Sequence, residues 1–318
     1  MRALPRRAAL VCLAVGLALV LLPAPAAAFG PATHIYIGRQ LLDMLFLLPE
    51  TLTTLLRAYP SSFLYGSVAA DISFAKKYVP AGRHCHFWHV GEEILHAAGN
   101  DRLRAVAYGY LSHLAADTIA HNFFVPRQLL LTSSTQALGH GYWEHRLDTQ
   151  LGEPYGSMAR EIVLDYDHSE ADNLFDSVLS GTIFSFETNR RIFRGMIRAQ
   201  DNERWKSIFD RVLQNSRWDL DGETIEAYTS LAFDFVVDYL LRGRGSVAAG
   251  FDPVGDFHLG LAKKVRRMAL REGKLNRPET LREMADDFFP LPRPELYYWS
   301  RRTSAGNGGE RYWAAPPG

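Results

Sequence analysis

The segment Ser112–Asn122, SHLAADTIAHN, repeats a metal-binding type of side chain every four residues, at His113, Asp117 and His121. On an α-helix advancing ~100° per residue, the three project from one face within an arc of about 80°. The residues between them, Leu114, Ala115, Ala116, Ile119 and Ala120, are apolar, as expected of a helix buried on its other sides. A carboxylate between two imidazoles in such a setting needs a charge partner, and Zn²⁺ is a good one. A second pair with the same spacing, His140 and Glu144, lies in GHGYWEH. Donors on adjacent turns can share one ion, as two histidines do in the helical zinc motif of metalloproteases. Upstream stand His34 in FGPATH, Asp71 in GSVAADIS, and His84, His86 and His89 in RHCHFWH. Singly, each is more often a structural side chain or a cap than a ligand. Together they exceed what one mononuclear site can use, so the expectation is a site with more than one metal.

Nine of the eleven histidines fall between His34 and His145, which confines this chemistry to the first half of the chain. Helical periodicity dominates the elements that must position it. Thr33–Leu48 carries Ile37, Leu41, Leu42, Leu45 and Leu48 on one stripe. Further amphipathic stretches run near 102–121, 138–150, 187–199, 203–214, 222–241, 256–272 and 278–289. Turn formers such as Gly30-Pro31, Pro80-Ala81-Gly82 and Gly152-Glu153-Pro154 separate several of them. No sustained two-residue alternation predicts a sheet, so the fold class is all-α. Next to the histidine-rich half, the second half reads as helical padding. With 318 residues, 47% hydrophobic and 22% charged, the chain can bury a large core and is no disordered tail. Lys plus Arg equals Asp plus Glu at 35 each, which leaves no basic field of the kind nucleic-acid binding uses.

The N-terminus reads as a secretory signal peptide over 1–28. Arg2, Arg6 and Arg7 precede an apolar run from Ala8 to Leu22, and Ala26-Ala27-Ala28 follows in the A-x-A pattern. The run is short of the ~20 residues that a membrane span needs. Cleavage between Ala28 and Phe29 predicts a secreted or periplasmic protein. It also removes Cys12, leaves Cys85 with no internal partner, and shifts the balance to 32 basic against 35 acidic residues.

At this point the chain resembles the zinc-dependent phospholipase C/D superfamily, which includes secreted bacterial phospholipases C and the catalytic domain of glycosylphosphatidylinositol-specific phospholipase D. The resemblance is carried, in order, by FG..TH at the expected mature N-terminus, G…AD ending at Asp71, H.HFWH, YLSHLAADTIAH and HG..EH. It implies a multi-helix bundle around a trinuclear zinc site over 29–300, with the metal motifs in 29–144 and a helical remainder in 155–300. Residues 301–318 are expected to form a flexible tail. Carried over position by position, it implies that Asp71, His86 and His113 hold one zinc, with Asp117 bridging. The amine and carbonyl of Phe29, His34 and Asp117 would hold a second, and His121, His140 and Glu144 the third. His86 is chosen over His84 and His89 by its place before Phe87-Trp88. Asp117 and His121 stand closer together than the matching pair in the secreted bacterial phospholipases C, and this spacing is similar to that of the phospholipase D catalytic domain.

The implied activity is hydrolysis of a phospholipid phosphodiester by a zinc-activated water, with three Zn²⁺ per chain. A zinc-bound water reaches a pKa near ~7, and Asp71 is the expected base that orients or deprotonates it. C-type cleavage, on the diacylglycerol side, is favoured. A D-type cut, a zinc single-strand nuclease and a non-catalytic zinc- or lipid-binding protein stand as alternatives. Phe87, Trp88, Tyr142 and Trp143 flank ligand positions and are candidate walls for substrate, although packing around the metal helices is the commoner use of buried aromatics. The basic run Lys263–Arg267 is read first as a solvated helix face, with peripheral membrane contact as the alternative. No obligate protein partner and no nucleic-acid partner is expected.

Overall fold

The computed structural model describes residues 29–303 except 74–77, 133–135, 183, 201–215, 217 and 276. Among these residues every regular element is helical and no strand occurs. The helices are α1 (Pro31–Asp43), α2 (Glu50–Ala58), α3 (Pro60–Ala69), α4 (Trp88–Ala97), α5 (Asp101–Ile119), α6 (Val125–Leu131) and α7 (Gln136–Leu151). They continue as α8 (Glu153–Leu164), α9 (Ser169–Val178), α10 (Phe186–Gln200), α11 (Gly222–Arg242), α12 (Asp256–Arg271) and α13 (Pro278–Phe288). The expected stretches 1–28 and 203–214 lie outside the described residues, as does 304–318. The first residues of the expected tail belong to a 3-10 turn, Trp299–Thr303.

The bundle is built around α5. Asn100 starts it, its side chain accepting from the Leu103 amide at 2.9 Å. Every residue from Gly109 to Pro126 is then buried, so this segment has no solvent face and its polar side chains, His113, Asp117 and His121 among them, are enclosed with the apolar ones. α3, α4 and α11 pack around α5, and α1 packs against α3, α7, α8 and α11. The α3–α5 crossing is unusually close. A Cβ on Gly66 would lie 1.9 Å from the Val106 carbonyl oxygen, and one on Gly109 would lie 2.0 Å from that of Phe63. Two glycines facing each other let the backbones touch. The crossing carries Asp71, in the 3-10 turn Ala70–Ile72 just past α3, to the side of His113.

α5 does not run straight to His121, as the four-residue repeat predicts. It ends at Ile119 and passes into a π-helical turn, Ala120–Phe124, in which the Val125 amide donates five residues back to the Ala120 carbonyl. The cause is Pro126, in the first turn of α6. It has no N–H for the Asn122 carbonyl, and its ring would press on that carbonyl in a regular α-helix, so the turn widens. Whereas His113 and Asp117 belong to α5 itself, His121 is the second residue of this π turn. The connection between α11 and α12 lies directly on it. Gly255, at φ 66°, sits where a Cβ would meet the His121 Cβ at 2.5 Å. The second half of the chain is thus not padding: it closes over a residue of the metal motif.

Candidate metal centre

Two helix ends, one helix interior and one loop bring the donors together. His34 comes from the first turns of α1, Asp71 from the end of α3, His86 from the loop before α4, and His113 and Asp117 from the buried middle of α5. His86, His113 and Asp117 are wholly buried. Their facing atoms form a triangle with equal edges: His86 Nε2 to His113 Nε2, His86 Nε2 to Asp117 Oδ2, and His113 Nε2 to Asp117 Oδ2 are each 3.1 Å. Two ligands of one tetrahedral zinc, at ~2.0–2.1 Å from the ion, stand roughly 3.3 Å apart. The triangle therefore has the size of one face of such a site. Asp71 Oδ1 lies 3.4 Å from His86 Nε2 and 4.0 Å from His113 Nε2, on the same cluster.

The second oxygen of Asp117 faces elsewhere. Its Oδ1 is 3.4 Å from His34 Nε2, whose ring stacks on His113 at 3.9 Å between centroids. Asp117 thus meets His86 and His113 with one oxygen and His34 with the other, while ligand atoms of His34, Asp71 and His113 also lie within 4.8 Å of one another. Phe29 is fully buried, with its ring 6.1 Å from that of His34 and 6.0 Å from that of Phe124. Farther along, His140 Nε2 and Glu144 Oε1 are 3.1 Å apart on consecutive turns of α7. The His121 ring is 5.3 Å from His140, turned at right angles to it.

Donor chemistry and electrostatics both fit zinc. His34 Nε2, both carboxylate oxygens of Asp117, His140 Nε2 and Glu144 Oε1 are buried and make no hydrogen bond, although neighbours lie within 3.1–3.4 Å. Buried ionisable groups left in that condition cost several kcal/mol each by order of magnitude, and a shared cation removes the cost. Burial pushes His34 below its ordinary pKa and the charge of His113 adds to this, against the pull of Asp117. That favours the neutral imidazole, the form that can ligate. Burial pushes Asp117 upward, but the charges of His113 and His121 more than reverse this and hold it well below the usual carboxylate range. Burial raises Glu144 to about 7 despite the opposing charge of His140.

Outer partners aim the rings. His113 Nδ1 donates to the Ser67 carbonyl at 2.9 Å, leaving Nε2 for the cluster. His86 Nδ1 lies 3.3 Å from the thiol of buried Cys85. Such contacts on the far nitrogen set the tautomer and orientation of metal-binding histidines. They also separate the three candidates in RHCHFWH. His84 Nδ1 accepts from the His86 amide at 3.1 Å, and exposed His89 donates through Nε2 to the Gly82 carbonyl at 2.8 Å. His86 alone of the three directs Nε2 at Asp117 and His113.

One residue missed in the sequence belongs to this assembly. Asp148 continues the His140–Glu144 spacing by one more turn of α7, and its carboxylate accepts from the amides of Ala32 (3.1 Å) and Thr33 (2.9 Å) and from the Thr33 hydroxyl (2.6 Å). It caps α1 from a distant helix, where the N-cap itself is Gly30 and has no side chain to offer. Its signal was the third member of a four-residue repeat. The aromatic candidates are mostly core. Trp88 stacks on Tyr239 at 4.3 Å and donates to the Phe251 carbonyl, and Trp143 is buried with its indole directed to Thr132. Neither has a face to offer a substrate, so both are corrected to packing residues. Tyr142 is half-buried and its hydroxyl engages Ser216 and the Trp218 carbonyl, while half-buried Phe87 packs beside His84 and His89.

The family model for zinc-dependent phospholipase C matches residues 33–190. The chain belongs to the zinc-dependent phospholipase C superfamily. The matched span covers the donors from His34 to Glu144 as well as Asp148, and it begins after Phe29. No curated protein and no solved structure matches the chain. Membership makes the chain a zinc-dependent hydrolase of the phospholipid-hydrolysing kind, and the buried His and Asp cluster is where the zinc chemistry of this superfamily is best accommodated.

Proposed function

We propose that the chain is an exported enzyme that hydrolyses the phosphodiester of a membrane phospholipid on its diacylglycerol side, with three zinc ions per chain. The observation that carries this reading is the shared position of Asp117, one oxygen facing His86 and His113 and the other facing His34. His86, His113, Asp71 and Asp117 would hold one ion. His34, Asp117 and the amine and carbonyl of Phe29 would hold a second, and His121, His140 and Glu144 a third. Bound zinc supplies Lewis acidity and neutralises the charge that builds on the phosphoryl oxygens.

The chain's own residues supply orientation and proton transfer. Asp71 is the base in this reading. Its side chain is 9% exposed where His86, His113 and Asp117 are sealed, which lets solvent reach its carboxylate. An Asp71 oxygen takes the proton of the attacking water as the new P–O bond forms. The P–O bond to glycerol breaks, and the glycerol oxygen regains a proton from solvent. Ser67 and Cys85 keep His113 and His86 in place throughout.

Export rests on the Arg2, Arg6 and Arg7 cluster, the apolar run and the Ala26–Ala28 pattern. Among the described residues, no helix is long and apolar enough to cross a membrane. The deciding experiment is zinc counting on the processed protein, followed by product identification with phosphatidylcholine and with single-stranded DNA. Diacylglycerol and phosphocholine support the reading. Phosphatidic acid and choline would replace it with the D-type cut to which the Asp117–His121 spacing leans, and hydrolysis of DNA alone would overturn it.

A further inference from the structure

We propose that the exposed face of α12 is the surface by which the protein docks on an anionic lipid bilayer, next to the metal centre; the proposal rests on the phospholipid reading of that centre. α12 buries one stripe, Leu259, Ala262, Val265 and Ala269. On its outer side Phe257 is 73% exposed, Leu270 62% and Met268 38%. Interspersed with them are exposed Lys263, Lys264, Arg267 and Arg271. At ~100° per residue, Phe257, Lys264, Met268 and Arg271 fall on a single narrow stripe.

None of these four basic residues is paired with an acid among the described residues. Elsewhere on the surface, Arg83, Arg127, Arg191 and Arg244 each sit on a carboxylate. Arg266 of the same helix turns inward to the Leu129 and Leu130 carbonyls. The only acid within α12 is Asp256, at its first position. Unpaired cations alternating with exposed large apolar side chains match the composition of a helix that lies in a membrane interface. Exposed Met268 and Leu270, which offer no ring for a base to stack on, fit a lipid interface better than a nucleic-acid one. α13 exposes Glu279, Glu283, Asp286 and Asp287, so the positive field belongs to α12.

The position of α12 ties this face to the centre. Gly255, its N-cap, rests on His121, and His258 in its first turn contacts the Asn122 side chain at 2.8 Å. Partly exposed Phe288, from the end of α13, joins the same end through a chain of rings, Phe257 to His258 to Phe289 to Phe288, at 5.1, 6.4 and 6.5 Å. Docking through this face would hold the end of the bundle that carries His121 close to the bilayer.

The test is co-sedimentation of the processed protein with vesicles of phosphatidylcholine alone and of phosphatidylcholine with phosphatidylserine, with hydrolysis read separately on dispersed short-chain phosphatidylcholine. Phosphatidylserine should strengthen binding. Lys264→Gln with Arg267→Gln should weaken it by about 30-fold, at roughly fivefold per basic residue, with the rate on dispersed substrate unchanged. Phe257→Ser should weaken binding to both vesicle types without changing the circular dichroism. Binding indifferent to phosphatidylserine, equal binding by the Gln variants, or binding to single-stranded DNA but not to vesicles would overturn the proposal. Charge-dependent vesicle binding with no hydrolysis of any lipid would leave the docking face standing and remove the enzymatic reading instead.

Discussion

Asp117 is the residue on which the centre turns, because one of its oxygens faces His86 and His113 and the other faces His34. Asp117→Asn keeps the shape but halves the acceptor capacity and removes the charge. We expect bound zinc to fall by two ions per chain and the hydrolytic rate to fall at least about a hundredfold, since losing even an outer partner of a metal ligand has effects of that size. Elemental analysis with a phosphocholine assay checks both. Asp71→Asn should lower the rate by roughly 10²–10⁴, the range for a lost general base, and a variant with full rate and full zinc would remove Asp71 from the mechanism. At this scale the sequence was highly legible. His113, Asp117, His140 and Glu144 announce themselves by spacing on single helices. His86 does not, because His84 and His89 are chemically identical to it and only the path of the loop decides which ring enters the cluster.

At the scale of elements, α7 and the π turn do the positioning. The carboxylate of Asp148 anchors the start of α1, which also carries His34. Burial raises the pKa of Asp148 to about 6, opposed by its hydrogen bonds to Thr33 and Ala32. With the folded value above the unfolded one near ~3.9, the folded protein holds more protons in between. Stability from this group is therefore greatest below pH 4 and falls as pH rises through about 6, by up to about 3 kcal/mol. In zinc-free protein, Asp148→Asn should flatten the urea-stability profile between pH 4 and 7, and an unchanged slope would show that other groups set it. Gly255→Ala meets both a positive φ and the His121 side chain, and should destabilise by about 1–3 kcal/mol. If the contact matters to the centre, zinc occupancy falls in the same variant. Of these devices only Asp148 left a mark in the sequence, as the third member of the His140–Glu144 repeat. The four-residue repeat predicts a straight helix to His121, and only the packing of Pro126 against the preceding turn shows why it widens.

For the whole molecule, donors on α1, the turn after α3, α5, α7 and the loop before α4 meet at one place, so bound zinc ties together segments that are far apart in sequence. Metal binding then contributes to folding stability. Chelation by EDTA should lower the Tm by on the order of 10 °C, and added zinc should restore it. Processing belongs at this scale too. Protein that retains Ala28 before Phe29 lacks the proposed amine ligand, and it should bind one zinc fewer with reduced activity. Intact-mass and elemental analysis of both forms would decide this, and equal zinc content would remove Phe29 from the centre.

The sequence by itself determined the kinds of donor, their four-residue spacing, the helical class and most of the long helices, since all of these are set by the local periodicity of one helix. Tertiary structure alone decided that His86 enters the cluster, that Asp117 divides its oxygens between two groups, and that Asp148 caps a helix 116 residues away. It also decided that Trp88 and Trp143 pack in the core. The reason is that contacts between helices depend on where backbones can approach, as Gly66 and Gly109 allow, and no local repeat encodes that meeting.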